Sequence, residues 1–558
     1  MSLDVSRRGL LAAVAAVGVG NATFQRAIAG TVAQQPKGDT VTVEMVQGAE
    51  WVAGIKLTDD ERKLVANAMT NVLRNVAALN KLDLGNAVPP AVGFNPAPWL
   101  APSKDGRGKV TLDAPAAAPK KPEKDDDLAF SSLATLAELV RTKQVSSVEL
   151  TKLYLARLKK YDPALLCVVS FTEARALEQA AAADKDIAAG QHRGPLHGIP
   201  WAAKDLIAYP GYKTTWGAAH FKEQELKAKA TVATRLDDAG AVLACKTTLG
   251  ALAWGDVWFG GTTRNPWNVQ QGSSGSSAGT ASAVAAGLVG FGIGSETLGS
   301  IVSPSARCGV TGLRPTFGRV SRHGCMTLGW SLDKIGPMCR SAEDCALVFG
   351  AIHGFDGLDA TVQDRPFDWP VKVNFKDLRV GFTETAGPSE ADRKVLTDLG
   401  VQLVPIKLPQ ADAGRIISLI LDVESAAAFD DITRADVKEG IGLWPPTFRR
   451  GRFVSAVGYL KAQRARTLLM REMAKVMETV DLYVNGSDLT VTNLTGHPTV
   501  CLPNGFNKSG SPTALTFTGR LFGESTLLAV ARAYQEATGH HRKRPPQETW
   551  VAEKKEKE

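Results

Sequence analysis

A stretch of small, uncharged residues that runs directly into an apolar segment places the strongest constraint on this fold. Residues 271–283 read QGSSGSSAGTASA, with five serines, three glycines and no charge. Such Gly/Ser tracts are usually flexible linkers between domains. Here the tract continues into TASAVAAGLVGFGIG at 280–294, which has the composition of a buried helix followed by a buried strand. The sequence therefore predicts a tight loop inside a folded core.

The composition is that of a folded protein with a large core. The 558 residues are 44% hydrophobic and 22% charged, and the net charge is +8. Lys and Arg do not cluster on one segment with aromatic residues between them, which argues against a nucleic-acid partner. The eight histidines follow no metal-ligand spacing, so we expect no metal site. We interpret the seven scattered cysteines as small core residues and leave one unassigned disulfide open.

The N-terminus has the layout of a bacterial export signal. Arg7 and Arg8 precede an uncharged run from Gly9 to Gly20, and a small-residue cleavage site ends at Ala29. The SRRGLL segment resembles the twin-arginine type. The twelve residues of the run are too few to cross a bilayer, which needs about 20. We therefore expect residues 1–29 to be a signal peptide, the protein to be periplasmic or secreted, and no stable membrane anchor.

Composition divides the rest of the chain into four parts. Residues 30–100 form a helical N-terminal extension, with a helix over 57–82 that Thr58 can cap. Residues 101–127 are rich in Pro, Ala and charge and are expected to be a linker or a surface wrap. Residues 128–545 form the main domain. Residues 546–558 form a charged, solvated tail.

The main domain begins with an α/β pattern. Ser146 and Glu149 form the signature of a capping box. The predicted elements are helices over 146–160, 172–189 and 231–239 and a buried strand over 241–247, with Gly190 and Gly240 as helix-ending turns. Helix, glycine and buried strand in succession are typical of a sheet covered on both faces.

One serine motif can be tested on its context. Gly275 to Gly279 match G-x-S-x-G, with Ser277 in the place of a nucleophile. That elbow requires a buried strand immediately upstream, because the strand aims the serine. The upstream residues 264–271 read as a polar turn, so the context argues against the elbow.

Three ordered segments together resemble the amidase signature family, which includes fatty acid amide hydrolase, bacterial amidases and the A-type chain of tRNA-dependent amidotransferases. They are GPLHGIPWAAKDLI (194–207), SGSSAGTASAVAAGLV (274–289) and GSETLGSIVSPSARCGVTGLRPT (294–316). The resemblance extends from about Leu128 to the region of Arg544 and includes NLTGHPTVCLPNG, which begins at Asn493. It implies an α/β fold with a large mixed β-sheet flanked by helices on both faces, and neither a metal nor an organic cofactor.

The resemblance also implies a Ser–cis-Ser–Lys triad. Lys204 is the base, Ser276 relays the proton at a cis peptide, and Ser300 is the nucleophile. A serine hydroxyl needs a base to remove its proton. A lysine can do so only when neutral, so burial must lower its pKa, and Lys204 lies in a largely apolar run. The neighbouring Asp205 need not face Lys204 if this run is a strand.

Backbone donors for the oxyanion are implied in the segment before the nucleophile. They are the N–H groups of Thr297, Leu298, Gly299 and Ser300. The sequence departs from the family here, with Leu298 in place of the first glycine of a pair, Glu296 in place of Asp and Val302 in place of Arg. Because a leucine cannot cheaply adopt a positive φ, either Leu298 keeps a negative φ or the oxyanion hole is altered.

We therefore predict a hydrolase of linear carboxamides whose partner is a small amide, and a homodimer is left open. His197 and His497 lie beside Gly and Pro, the sequence shows no acidic partner for them at a catalytic spacing, and we expect both to be structural. Two alternatives are an amidotransferase A-type subunit that supplies ammonia to charged tRNA and a degenerate amidase-fold binding protein. The export signal argues against the first, and Leu298 and Val302 favour the second.

Overall fold

The structure is a computed structural model, and its contacts divide the chain into two compact units, Met1–Val88 and Pro89–Glu558. The residues that it describes are 40–53, 57–64, 66–67, 70, 93–96, 106–112, 118–409, 413–452, 454–486 and 489–550. The predicted signal peptide, residues 1–29, lies outside them.

The first unit is helical where it is described. Helix α1 spans Val43–Ala53, and residues 59–64, 66–67 and 70 are also helical. Thr58 caps this second helix, since its backbone N–H donates to the Glu61 carboxylate at 2.6 Å and its Oγ1 accepts from the Glu61 N–H at 3.4 Å. The start of the predicted 57–82 helix is therefore confirmed, and the part after residue 70 lies outside the described residues.

The second unit is built on one large mixed sheet, as the resemblance implied. Its strands are β1 (Val168–Phe171), β2 (Pro200–Lys204), β3 (Val242–Thr247), β8 (Phe291–Glu296), β9 (Thr311–Arg314), β10 (Lys334–Cys339), β11 (Arg379–Phe382), β12 (Gln402–Pro405), β13 (Leu482–Val484), β14 (Thr499–Phe506) and β15 (Pro512–Gly519). They lie in the order β1-β3-β2-β8-β10-β9-β14-β15-β13-β11-β12. The short strands β4 (Val257–Trp258) and β5 (Gly261–Thr262) pair with each other, as do β6 (Arg264–Asn265) and β7 (Asn268–Gly272).

Helices cover both faces of this sheet. They are α2 (Asp125–Ala129), α3 (Leu133–Arg141), α4 (Ser147–Leu165), α5 (Glu173–Ala188), α6 (Thr231–Asp238), α7 (Ala278–Ala285), α8 (Val302–Cys308), α9 (Ala342–Ile352), α10 (Glu390–Asp398), α11 (Ala413–Ala428), α12 (Asp430–Arg434), α13 (Pro445–Gly451), α14 (Ala456–Thr479), α15 (Leu489–Thr495) and α16 (Glu524–Thr538). Every residue of β2, β3, β8 and β10 is buried, as expected for strands covered on both faces. Among the described helices, none is both long enough and apolar enough to cross a membrane.

The elements predicted from local pattern are present with small shifts in their bounds. The helix predicted over 146–160 runs five residues further, to Leu165, and Ser146 Oγ accepts from the Glu149 N–H at 2.9 Å. The Glu149 carboxylate pairs with Lys121, so it contributes an ion pair at the helix start. Helices α5 and α6 and strand β3 match their predicted positions, and Gly190 and Gly240 have the positive φ expected of helix-ending glycines.

Part of the predicted 101–127 linker wraps the second unit. The backbone N–H groups of Phe367 and Trp369 donate to the carbonyls of Arg107 and Lys109, each at 2.9 Å. A side chain at Gly108 would collide with the Phe367 backbone, because an ideal Cβ there lies 2.5 Å from its nitrogen. The division between the two units falls at Val88/Pro89 rather than inside this segment.

The C-terminal tail, which we predicted to be solvated from residue 546, is packed as far as Trp550. The Trp550 indole is buried, and its Nε1 donates to the Pro266 carbonyl at 2.8 Å. Its ring lies edge-on to Tyr161 with centroids 5.0 Å apart. The Trp550 ring packs against Tyr161 and its indole N–H has an acceptor, as a buried tryptophan requires. The charged residues around it in the chain gave no indication of this packing. Residues 551–558 lie outside the described part.

Candidate active site

Strand β2 ends on a buried lysine that faces three serine side chains. Lys204 Nζ lies 2.8 Å from Ser276 Oγ, 3.0 Å from Ser277 Oγ and 2.8 Å from Ser295 Oγ. It also lies 3.3 Å from the Ser295 carbonyl oxygen. A neutral amine has two N–H donors and one lone pair. The carbonyl and the hydroxyls can take the two donors, which leaves the lone pair able to accept a proton from Ser276.

Burial lowers the pKa of Lys204 to about 7, against the opposing effect of the carboxylates of Asp333 and Glu296. The side chain has no solvent exposure. Because a charged amine loses its hydration in such a place, the neutral form is favoured. Near neutral pH a large fraction of Lys204 is therefore deprotonated, which is the state that a general base requires.

The serine-rich tract is the tight loop that its sequence predicted. The Gly275–Ser276 peptide bond is cis. An ideal Cβ at Gly275 would lie 1.9 Å from the Gly255 carbonyl oxygen, so only glycine fits there. The Asp256 carboxylate fixes the loop by accepting from the Ser274 N–H at 2.8 Å. The loop then enters α7, all of whose residues are buried.

The upstream residues 264–271, interpreted from sequence as a polar turn, contain the β6–β7 hairpin instead. Because the residues of β7 are only partly buried or exposed, this hairpin still lacks the buried strand that a nucleophile elbow needs. Ser277 has no solvent exposure, and its Oγ donates to the Ser295 carbonyl at 3.1 Å and accepts from the Ser295 N–H at 3.1 Å. These bonds make Ser277 a tie between the loop and β8.

The segment after β8 presents unpaired backbone donors beside the serine loop. Among the described residues, no group accepts from the N–H groups of Thr297, Leu298, Gly299 and Ser300. The positive φ in this turn, +82°, falls on Gly299, and Leu298 keeps a negative φ. Of the two alternatives that the sequence left for Leu298, the structure has the first: the residue keeps a negative φ and causes no backbone strain. The Ser300 carbonyl accepts from the Ser277 N–H at 3.1 Å, which joins the two loops.

A buried carboxylate anchors this turn. Glu296 Oε2 accepts from the N–H groups of Ile301 and Val302 at 2.9 and 3.0 Å, and Oε1 accepts from Arg314 at 2.8 Å and from the Asn493 amide at 2.8 Å. Burial alone would raise the pKa of Glu296, but Arg314 and the other partners outweigh it and lower the pKa to about 2. The carboxylate thus stays ionised and holds both ends of the turn that carries Ser300.

The sequence did not predict two contacts of Lys204, with Ser277 and Ser295, or the ion pair made by the neighbouring Asp205. The Ser295 and Ser277 contacts depend on the pairing of β2 with β8, in which Ala203 lies opposite Ile293. The strand ends at Lys204, and the next residue, Asp205, pairs with the fully buried Lys246 at 2.7 Å. The sequence did not indicate this partner, because Lys246 lies on β3, a strand whose register against β2 only the fold reveals.

The two histidines have structural surroundings. Burial lowers the pKa of His197 to about 4, and its Nδ1 accepts from the Arg193 N–H at 3.1 Å. Burial lowers the pKa of His497 to about 3, and its Nδ1 lies 2.8 Å from Thr495 Oγ1. All seven cysteines are free and buried, so the disulfide left open is not formed. Among the described residues, no group of three or more His, Cys, Asp or Glu side chains is arranged to hold a metal ion.

Comparison with known proteins assigns this chain to a family. The family model described as Amidase matches residues 149–488. The chain belongs to the amidase signature family. This amidase signature protein is 34% identical over 479 residues to the A-type chain of the glutamyl-tRNA(Gln) amidotransferase from Marinomonas sp. (strain MWYL1). The match covers 74% of this chain and 98% of the relative. The A-type chain of the same amidotransferase from Heliobacterium modesticaldum is 35% identical to this chain over 476 residues. The match covers 74% of this chain and 97% of the relative.

A solved structure of the family has the same architecture. The native peptide amidase from Stenotrophomonas maltophilia superposes with a TM-score of 0.68 at 29% identity, covering 75% of this chain and 98% of that chain. The match supports the fold class predicted for this amidase signature enzyme, a large mixed sheet flanked by helices.

Proposed function

We propose that this chain hydrolyses the C–N bond of carboxamides through an acyl-enzyme. The observation that carries the proposal is the contact between the buried Lys204 amine, whose pKa is lowered to about 7, and Ser276 Oγ at 2.8 Å. A neutral amine within hydrogen-bond distance of a hydroxyl can act as a general base and accept the hydroxyl proton. The family membership supports the same reaction class.

In the proposed mechanism, Ser300 Oγ attacks the amide carbonyl carbon. Its proton passes to Ser276, whose own proton passes to Lys204. The oxyanion that forms is stabilised by the unpaired N–H groups of residues 297–300. When the C–N bond breaks, the leaving amine takes the proton from Lys204 by the same path. Water then hydrolyses the ester on Ser300 and restores the enzyme.

The test is turnover by the purified protein. We expect release of ammonia or amine from a panel of aliphatic, aryl and peptide amides, and covalent labelling of Ser300 by a fluorophosphonate probe. Ser300→Ala should abolish both, whereas Ser418→Ala, on the exposed face of α11, should alter neither. Wild-type turnover by Ser300→Ala would refute the mechanism. A silent probe together with no turnover would favour a degenerate binding protein.

A second candidate is an amidotransferase A-type subunit. It is favoured by the amidotransferase relatives that this chain matches over 97–98% of their length at 34–35% identity. The two functions differ in where the released ammonia goes and whether a partner is needed. Amide hydrolysis by the isolated chain at rates unchanged by added amidotransferase partner subunits supports the hydrolase, and partner-dependent transfer of ammonia to charged tRNA supports the second candidate.

We also propose that the protein is exported and acts outside the cytoplasm. The Arg7-Arg8 pair followed by a short uncharged run supports this. Fractionation of bacterial cells that express the full chain should find it in the periplasm or the medium. The double substitution Arg7→Lys, Arg8→Lys should retain it in the cytoplasm, while Lys37→Arg, which lies beyond the signal, should not.

A further inference from the structure

A buried carboxylate lies beside the first residue of the turn that carries the unpaired N–H groups. Strands β8 and β10 pair in antiparallel orientation, and Lys334, the first residue of β10, lies opposite Glu296, the last residue of β8. The next residue outward on each strand then also lies opposite its counterpart, which brings Asp333 to Thr297. Thr297 Oγ1 donates to Asp333 Oδ1 at 2.6 Å, and both residues are only 8% exposed. The register of the sheet thus supplies a side-chain acceptor at the start of the turn.

The second oxygen of Asp333 binds another loop. Oδ2 accepts from the N–H groups of Leu328 and Gly329 at 2.8 and 3.1 Å. Hydrogen bonds to a carboxylate are shorter and stronger than those between neutral groups. Asp333 therefore fixes the start of the turn against this loop, while the Glu296 carboxylate binds the N–H groups that follow the nucleophile. The two carboxylates hold the turn from its two ends.

Asp333 also places a negative charge near the proposed base. Burial lowers the pKa of Lys204 to about 7, and of the two carboxylates that oppose this, Asp333 has a larger effect than Glu296. Glu296 already has a buried arginine partner at 2.8 Å, whereas Asp333 forms no ion pair in the described part of the chain. The other titratable groups on which Asp333 acts are the Lys334 amine and the Cys325 thiol. The charge of Asp333 therefore stabilises the protonated form of Lys204.

We propose that Asp333 is a positioning residue of the site, which holds Thr297 so that the N–H groups of the turn face the amide and which presents its charge to Lys204. The inference rests on the proposed amidase function and adds a residue that acts through Thr297 and Lys204. A misplacement of about 1 Å at a reacting centre can cost about 10²-fold in rate. Oxyanion donors stabilise the transition state more than the bound substrate, so the effect falls mainly on kcat.

The first experiment tests the bond to Thr297 with the amide that the wild-type protein hydrolyses fastest. Thr297→Val and Asp333→Ala should each lower kcat by about 10–100-fold and change KM less. The double variant should be no slower than Asp333→Ala alone, since the threonine hydroxyl then has no partner left to lose. Additive effects on kcat would overturn the link between the two residues. Asp344→Asn is the control: it changes a fully buried carboxylate that accepts from the Leu133 N–H at 2.8 Å, and it should leave kcat unchanged.

The second experiment tests the charge with Asp333→Asn, which keeps the size of the side chain. Without the carboxylate the Lys204 ammonium loses a stabilising neighbour, so the pKa of Lys204 should fall. The rising limb of the kcat/KM profile should therefore move to lower pH by about half a unit to one unit. Thr297→Val keeps the carboxylate and should leave the limb in place. NMR titration of the Lys204 amine nitrogen, identified by the absence of its signal from Lys204→Met, measures the same shift without any turnover.

The outcomes separate this inference from the amidase function. Wild-type turnover, with unchanged kcat and an unchanged limb in the Asp333 variants, would overturn the role of Asp333 and leave the amidase function standing. A loss of folding stability in those variants without either kinetic effect would also overturn it. If the wild-type protein hydrolyses no amide and the fluorophosphonate probe does not label Ser300, the amidase function is overturned. The NMR titration then decides the action of Asp333 on Lys204, since a lower pKa in Asp333→Asn supports it and an unchanged pKa overturns it.

Discussion

Lys204 Nζ and Ser276 Oγ lie 2.8 Å apart although 72 residues separate them in the chain. One is the last residue of a buried strand, and the other follows a cis peptide in a loop of small residues. The sheet brings them together, because β2 and β8 pair in parallel and the serine loop is bonded to β8 through Ser277. A change to the base, to the relay or to the turn beside them should therefore have a separate, measurable effect.

The first prediction concerns pH. Because the pKa of Lys204 is lowered to about 7 and the base must be neutral, kcat/KM should rise with pH through that region and level off above it. Lys204→Met should lower kcat by about 10²–10⁴-fold and remove this limb of the profile. A pH–rate profile with the amide of the panel that is hydrolysed fastest measures both. A flat profile between about pH 6 and 9 for the wild-type protein would contradict the assignment.

The second prediction separates Ser276 and Ser277, two of the three serines whose hydroxyls contact the lysine. Ser276→Ala should lower kcat by about 10²–10⁴-fold with little change in stability, because the hydroxyl relays a proton. Ser277→Ala should instead lower the free energy of unfolding by about 1–3 kcal/mol, because it leaves the buried Ser295 N–H without its acceptor and removes one of the donors to the Ser295 carbonyl. Steady-state kinetics and urea unfolding of both variants test this, and the reverse pattern would exchange their roles.

The third prediction concerns the buried carboxylate under the turn. Glu296→Gln should cost about 3–5 kcal/mol of folding stability, because Arg314 would lose its buried partner. The folded-state pKa of Glu296 is lowered from 4.5 to about 2, so its contribution is complete above pH 4.5 and is lost as the pH falls towards 2. The wild-type protein should therefore lose more stability than Glu296→Gln between about pH 5 and 3, as measured by chemical unfolding at each pH.

The fourth prediction concerns the conformation of the turn. Gly299 has a φ of +82°, and an ideal Cβ there lies 2.9 Å from Ser303 Oγ. Gly299→Ala should thus cost about 1–3 kcal/mol and reduce kcat more than it raises KM, since the N–H donors are displaced. Leu298→Gly, at a residue with negative φ, is the matched control and should retain kcat. Equal effects of the two substitutions on kcat would contradict this account of the turn.

Local sequence patterns predicted individual helices and strands but not the order of the strands in the sheet. The helix that begins after Ser146, the one that ends before Gly240 and the strand after it follow from capping residues, glycine and apolar runs. The order of strands in the sheet has no such local signal, because it depends on pairings between distant segments. The packing of Trp550 was missed for a related reason, since its acceptor on Pro266 is 284 residues away.

The site shows the same limit. The motifs pointed to Lys204 and Ser276, and the structure places them in contact. Ser295 was not predicted because its hydroxyl reaches the lysine only through the register of β2 against β8. The conformation of Leu298 could be posed only as two alternatives, since the sequence does not say which residue of a turn adopts a positive φ.

The burial of all seven thiols has a practical consequence. None is tied into a disulfide, and burial raises the pKa of thiols such as Cys325 and Cys501 to about 12. An alkylating reagent finds no thiolate on the native surface, so each cysteine is modified only when its part of the core opens. Seven natural reporters thus record, by mass spectrometry and without any engineered label, which regions of the molecule unfold first.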